Sequence, residues 1–181
     1  MRVRLISGSL GGRFIEAPDT SATHPMSERI RSSLFNILGD VSGRVVLDAF
    51  AGTGAIGFEA ISRGADSVTF IERDRVAQKV LLENIASLHV KNKTKLIQAT
   101  VAGWDETATD QKFDLIFADP PYHDTQLSTV SRLFSHLKTN GLMVLSHPGR
   151  ESAPTVNGVV VVDKRNYGDA ALAFYQLVST D

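Results

Sequence analysis

The chain has 181 residues, 43% hydrophobic and 22% charged, enough for one globular domain with a sizeable core. Its 19 Lys and Arg against 20 Asp and Glu give a net charge of −1, so any nucleic-acid contact must come from a local patch and not from the charge of the whole. Absence of Cys excludes disulfides and thiolate metal sites; no apolar run nears the ~18 residues of a membrane span, and Met1-Arg2-Val3-Arg4 leads into no secretory segment, so a cytoplasmic location is expected.

In chain order, residues 2–7 and 13–17 are short extended candidates around the turn signal Gly11-Gly12. Residues 18–26, with two Pro and several Ser and Thr, read as a loop. Ser27 is placed to cap a helix carrying Ile30, Leu34, Ile37 and Leu38 and ended by Gly39. A strand over Val45–Leu47 leads to Asp48. A helix over Ala55–Arg63 stops at Gly64, and a strand covers Ser67–Ile71. Asp74 caps a helix running to about Leu88, with Val76, Val80, Leu81 and Leu88 on its buried side. Strands over Lys95–Ala99 and Phe113–Ala118, a helix over Gln126–Leu137 and a strand over Leu142–Leu145 follow. Val159–Asp163 and Ala170–Val178 close the chain as a strand pair. Such alternation predicts an α/β fold with a mainly parallel sheet covered on both faces.

Two motifs carry chemistry. Asp119-Pro120-Pro121-Tyr122 follows the apolar run Phe113–Ala118 at the mouth of a buried strand. Asp119 accepts a hydrogen bond from an amino group. Pro120 and Pro121 have no N–H and fix φ at about −65°, which stiffens an acceptor-rich turn. Tyr122 offers a flat face for a planar base, a role that needs the ring and not the hydroxyl. The group suits holding the exocyclic amine of a nucleobase during transfer. A bland Pro-Pro turn ending a strand is the competing reading.

The second motif is the strand–loop–helix Val45-Val46-Leu47-Asp48-Ala49-Phe50-Ala51-Gly52-Thr53-Gly54-Ala55-Ile56-Gly57, with Glu72 20 residues after Gly52. Gly52, Gly54 and Gly57 also satisfy the dinucleotide fingerprint. Asp48 discriminates, because a carboxylate ahead of the glycines repels a pyrophosphate and suits a cationic ammonium group. S-adenosylmethionine carries an ammonium and a sulfonium and no phosphate. It is favoured over a dinucleotide, and over glycines that merely allow close helix–strand packing. Glu72 can accept both ribose hydroxyls in either cofactor.

VLDAFAGTGAIGFEAISRGA, FIERD and FDLIFADPPY together resemble the class I S-adenosylmethionine-dependent methyltransferases that methylate amines. MRVRLISGSLGGRFIEAP, HPMSERIRSSLFNIL and KRNYGDAALAFY narrow this. They resemble the bacterial 16S rRNA (guanine-N2)-methyltransferase family, Rsm type D, from Met1 to about Tyr175. The resemblance implies a Rossmann-like seven-stranded sheet with helices on both faces. It also implies a hairpin extension over residues 1–26 that contacts RNA, and a methyltransferase domain over 27–181. Asp119, Pro120, Pro121 and Tyr122 would be catalytic. Asp48, Phe50, Ala51, Gly52, Gly54, Glu72, Arg73, Thr100 and Asp119 would hold S-adenosylmethionine. Arg2, Arg4 and Arg13 on the hairpin, with Arg29 and Arg31 on the first helix, would grip phosphates of 16S rRNA in a partly assembled 30S particle. A monomer without metal or membrane is expected. The chain departs from the family at His24-Pro25-Met26, where Arg-Pro-Thr is usual, at Glu28 in place of Asp, and at Thr100, where an acidic residue often meets adenine.

Other classes stay open: an adenine-N6 DNA methyltransferase, for which 181 residues leave little room for target recognition; a non-catalytic RNA-binding or ribosome-assembly module; and, distantly, a nicotinamide oxidoreductase. His24, His89, His123, His136 and His147 lack metal-ligand spacing. Trp104 is expected to pack, and Tyr167-Gly168-Asp169 reads as a hairpin turn, near substrate only by the resemblance.

Overall fold

The computed structural model describes residues 1–19 and 25–179; His24 lies outside them. In chain order the elements are β1 (Arg2–Arg4), β2 (Phe14–Glu16), α1 (Glu28–Leu38), β3 (Val45–Asp48), α2 (Ala55–Ser62), β4 (Ser67–Glu72), α3 (Arg75–Ser87), β5 (Thr94–Gln98), α4 (Val101–Thr107), β6 (Phe113–Ala118), α5 (Leu127–Leu133), β7 (Leu137–Pro148), β8 (Val159–Asn166) and β9 (Ala170–Leu177). Seven strands form one sheet in the order β5-β4-β3-β6-β7-β9-β8, and β1-β2 form a separate antiparallel pair. β3 to β7 are parallel, while β9 runs antiparallel to both β7 and β8. The chain winds outward from β3 to β5, then returns to β6 on the other side of β3. The adjacent carboxyl ends of β3 and β6 are therefore a topological switch point, where open α/β sheets bind ligands.

Alternate side chains supply two cores, as the period of a strand requires. Val46, Leu115, Phe117 and Val144 join α1, α2 and α3 on one face. Leu47, Ile116, Met143 and Leu145 join α4 and α5 on the other. All eight residues of α2 are buried. Its sequence AIGFEAIS is apolar but for Glu59 and Ser62, both of which are buried, so the helix has no solvent face. The sheet covers one side and the N-terminal segment the other. Val3, Leu5, Leu10, Ile15 and Ala17 belong to the same core as α2.

Residues 5–13 are clamped to α2 by a fully buried carboxylate. Glu59 accepts from the Ile6 and Ser7 amides at 2.9 and 3.1 Å and from Arg63 at 2.8 Å. The Ser62 hydroxyl accepts from Leu10 N at 2.9 Å. A Cβ on Gly8 would stand 1.9 Å from the Ser62 carbonyl oxygen, so only glycine permits this approach.

Several elements differ from expectation. α5 ends at Leu133, because Phe134–His136 tighten into a 3-10 turn and Leu137, though at helical spacing, pairs with Phe113 in the sheet. β7 is accordingly longer, absorbing Asn140-Gly141 as an irregularity with Asn140 at φ 66°. α4 was not anticipated, although Val101, Trp104 and Ala108 are a buried stripe at helical spacing. On α3 the buried residues are Ala77, Leu81, Asn84 and Ile85, while Val76 is exposed in the first turn. No described helix is long and apolar enough to cross a membrane.

Candidate active site

A cleft of about 620 Å³ opens at the switch point. Phe50, Gly52 and Thr53 after β3 line it, as do Glu72 and Arg73 after β4, Thr100 and Val101 at the start of α4, and Asp119 to His123 after β6. Pro25, Met26, Ser27 and Ile30 close it from the start of α1. Most of the residues expected at a cofactor or a reacting amine thus share one wall.

The loop after β3 turns sharply. Phe50 sits at φ 70°, with Gly52 and Gly54 at 55° and 80°. Phe50 is the only non-glycine of the three, and such a conformation is held at a cost typical of functional sites. Neighbouring strands anchor the turn, since the Ala49 and Ala51 amides donate to the Phe117 and Ile71 carbonyls at 2.9 Å each. Gly57 lets α2 lie against β4, because a Cβ there would be 2.3 Å from the Phe70 ring.

Asp48 is not part of the wall. It is buried beneath the loop, and its Oδ2 accepts from the Gly57 amide at 3.0 Å. Burial first, then the charges of Asp119 and Glu72, raise its carboxyl well above the ordinary range, against the Gly57 hydrogen bond. Glu72 bridges two backbone amides, Gly52 at 2.7 Å and Asp74 at 2.8 Å. The Gly52 amide of the loop is thereby engaged by Glu72, and the acidic groups leave a cavity that favours a cation. Thr100 caps α4, its hydroxyl oxygen accepting from Gly103 N at 3.0 Å. That leaves its hydroxyl proton free to donate, which is the opposite of an acidic partner for adenine's amine.

Asp119 is half-buried at the cleft. Burial pushes its carboxyl up to about 6, opposed by the nearby Ser146 hydroxyl. Tyr122 is 40% exposed and its ring lines the cleft. Its hydroxyl lies 2.7 Å from the Ser146 hydroxyl, and burial raises its pKa. Ser146, on β7, is 4% exposed and also lines the cleft. Sequence reading missed Ser146, since a lone Ser inside an apolar strand carries no motif. It also left the Tyr122 hydroxyl without a partner.

The five arginines are placed differently from one another. Arg2 pairs with Glu16 at 3.5 Å and stacks on Phe14; Arg4 pairs with Glu28; Arg13 donates to the Ser87 carbonyl at 2.8 Å. Arg29 is exposed and makes no ion pair among the described residues. Arg31 corrects the expectation of a phosphate grip. It is 1% exposed, donates to the Met26 and Arg4 carbonyls at 3.2 and 3.1 Å, and lies 3.8 Å from Glu59.

Of the histidines, His136 packs on Trp104, with its ring nitrogens at Gln111 O and Asp105 Oδ1. Among the described residues no group of His, Asp and Glu could hold a metal ion. Tyr167 closes the β8–β9 turn against α1, 2.5 Å from the Ser33 hydroxyl.

A family model described as "Conserved hypothetical protein 95" matches residues 3–176. "Ribosomal RNA small subunit methyltransferase D" of Escherichia coli is 34% identical over 141 residues, covering 77% of this chain and 69% of that protein. The protein of the same name from Haemophilus influenzae is 28% identical over 180 residues, covering 96% and 93%. The chain belongs to the ribosomal RNA small subunit methyltransferase D family. Its fold agrees with the solved structure of yhhF from Escherichia coli, at a TM-score of 0.88, 28% identity and 98% coverage of both chains. The seven-stranded sheet with its N-terminal hairpin is thus the fold of a class I methyltransferase.

Proposed function

We propose that this methyltransferase transfers a methyl group from S-adenosylmethionine to the exocyclic N2 of a guanine in 16S rRNA. The observation that carries this reading is the acceptor-rich wall around Asp119. On guanine's Watson–Crick edge the group beside the N2 amine is a second donor, N1–H, so this part of the edge meets the Asp119 carboxylate and the Pro120 carbonyl without conflict. Adenine's edge sets an N1 acceptor beside its amine, which an ionised Asp119 repels.

The cofactor fits the carboxylates. Glu72 sits where ribose hydroxyls can donate to it, and the negative cavity suits an ammonium and a sulfonium. Phe50, Ala51, Gly52, Gly54 and Arg73 would shape the methionine and ribose ends, with Thr100 at the adenine. Asp48 acts from below, by holding Gly57. The cofactor supplies an electrophilic methyl; the amine is the weak partner, its lone pair delocalised into the ring. Asp119 and the Pro120 carbonyl accept its N–H groups, favour a pyramidal nitrogen and stabilise the positive charge that grows on it. Asp119 is placed to take the proton that nitrogen then sheds. Alignment supplies much of the rest, roughly 7–11 kcal/mol in well-oriented systems. Tyr122 stacks the base once it leaves its helix.

Residues 1–26 act as the RNA-contacting extension, with Arg2, Arg4 and Arg13 beside Arg29. A partly assembled 30S particle suits a small enzyme, because it presents one loop in one shape. The test is radiolabelled methyl transfer to 30S particles, free rRNA and duplex DNA, followed by digestion to nucleosides. Label in N2-methylguanosine from the particle is expected. Label in N6-methyladenine, or only in DNA, refutes the reading.

A further inference from the structure

We propose that the turn between α3 and β5 is a second RNA contact, remote from the cleft, where Lys91, Lys93 and Arg13 grip phosphates of a stretch of 16S rRNA other than the one carrying the target base. The proposal rests on the reading of the substrate as rRNA given above.

α3 leaves the cleft and β5 returns to it, for Asp74 before α3 and Thr100 after β5 both line the cleft. The turn between them therefore lies at the opposite end of the sheet, about 20 Å away by the 13 residues of α3 at 1.5 Å each. No Asp or Glu occurs between Glu83 and Asp105, a stretch that holds Lys91, Lys93 and Lys95. These lysines are exposed, and none makes an ion pair among the described residues. Arg13 brings a further cation from the N-terminal segment, donating to the Ser87 carbonyl at 2.8 Å in the last turn of α3. In a chain of net charge −1, such a cluster is a local positive field.

The turn is firmly held. His89 reverses the chain at φ 57°, and buried Leu88 and Val90 anchor it on either side. The Val90 carbonyl accepts from the Lys93 amide at 3.0 Å and from the Thr94 hydroxyl at 2.9 Å. Cations on a fixed turn give up little backbone freedom when they bind. Protection of the sheet accounts for less of the pattern. β5 is an edge strand, and a lysine on such a strand discourages pairing with another sheet. That covers Lys95, which lies in β5. It does not cover Lys91 and Lys93, which precede the strand in a 3-10 turn, nor Arg13.

A polyanion is the partner that fits. Lysines act on phosphates as point charges and fix the position of a nucleic acid without reading its sequence. The separation from the cleft means that the two contacts meet different stretches of RNA. Engaging both at once requires folded RNA, which agrees with a partly assembled 30S particle as substrate.

The experiment compares the double variants Lys91→Ala/Lys93→Ala, Lys91→Glu/Lys93→Glu and Lys91→Arg/Lys93→Arg with the parent protein. Binding of 30S particles, of protein-free 16S rRNA and of a short fragment bearing the target loop is titrated at several salt concentrations. Calorimetric binding of S-adenosylhomocysteine reports the intact fold. The alanine pair should bind particles and 16S rRNA roughly 10-fold more weakly at physiological salt, with a slope of log affinity against log salt shallower by about 1.5, the share of two contacts. The glutamate pair should lose more, and the arginine pair should match the parent. Fragment binding and product affinity should stay within about twofold throughout. Unchanged affinity and slope on both particles and 16S rRNA, in the alanine and glutamate pairs alike, overturns the proposal. Loss on particles alone, with 16S rRNA unaffected, would assign the turn to an acidic face of a ribosomal protein and overturns it as well. An equal loss on the fragment would overturn the separation from the cleft. Absence of methyl transfer by the parent protein to any of these RNAs would instead overturn the reading of function beneath it.

Discussion

Asp119 is held at odds with its surroundings. Its carboxyl titrates at about 6 in the folded protein against an ordinary 3.8, because burial disfavours the charge. Between those values the folded form binds more protons than the unfolded one. Its stabilising contribution is therefore full below the ordinary value and is lost as pH rises through about 6. Asp119→Asn should accordingly melt higher than the parent near pH 7.5, by on the order of 1–3 kcal/mol, with the gap closing toward pH 4.5. Thermal unfolding at a series of pH values measures it, and a gap constant with pH would show that the charge is not the cause. Asp119→Ala should abolish turnover and leave cofactor affinity within a few fold, since its proposed partner is the base amine. A collapse of cofactor affinity with surviving turnover would reverse that assignment. Tyr122→Phe keeps the stacking ring and loses the Ser146 contact, so its rate should fall between those of the parent and Tyr122→Ala. Equal losses in both variants would move the weight from ring to hydroxyl.

At the scale of elements, α2 is the pivot. It carries the glycine loop at its first turn and Glu59 at its second. Gly57→Ala would drive a methyl to 2.3 Å from the Phe70 ring and 2.9 Å from Val68, both fully buried. Overpacking of that kind costs about 1–3 kcal/mol, which chemical denaturation would register. Glu59→Ala should cost more, about 3–5 kcal/mol, because it strands buried Arg31 and two amides. Hydrogen exchange should quicken first at Ile6 and Ser7, and unchanged protection there would show that the clamp does not hold the segment. Much of this architecture was legible. Ser27 accepts from Ile30 N, Asp74 from Val76 and Ala77 N, and Gly39 ends α1, so the caps lay where residue type put them. DPPY and the glycines marked the cleft because special backbone chemistry leaves a local trace. What escaped depends on partners distant in sequence. Glu59 meets Ile6 across 53 positions, and Ser146 meets Tyr122 across 24. Arg31 looked like any basic residue on a polar face until Glu59 and two carbonyls were found around it.

For the whole molecule, a net charge of −1 means that RNA must be met by a patch. The N-terminal arginines are candidates of unequal standing. Arg2 and Arg4 already face Glu16 and Glu28, so a phosphate must displace a carboxylate, and the gain is the difference between two pairings. Arg13 holds a carbonyl on α3. Arg29, exposed at the first turn of α1 beside cleft residues Ser27 and Ile30, has no acidic partner among the described residues to give up. Each phosphate contact contributes about 0.7–0.9 to the slope of log affinity against log salt. Arg29→Ala should therefore lower that slope by about one such contact, while Arg4→Ala alone should change it less. Replacing Arg2, Arg4 and Arg13 together should weaken RNA binding and flatten the slope further. Cofactor affinity should be the same in all these variants, because none of the four lines the cleft. Binding of the 16S target fragment, titrated at several salt concentrations, gives the slopes directly. An unchanged slope in both Arg29→Ala and the triple variant would show that the hairpin and α1 serve the core of this fold and that the RNA is gripped elsewhere.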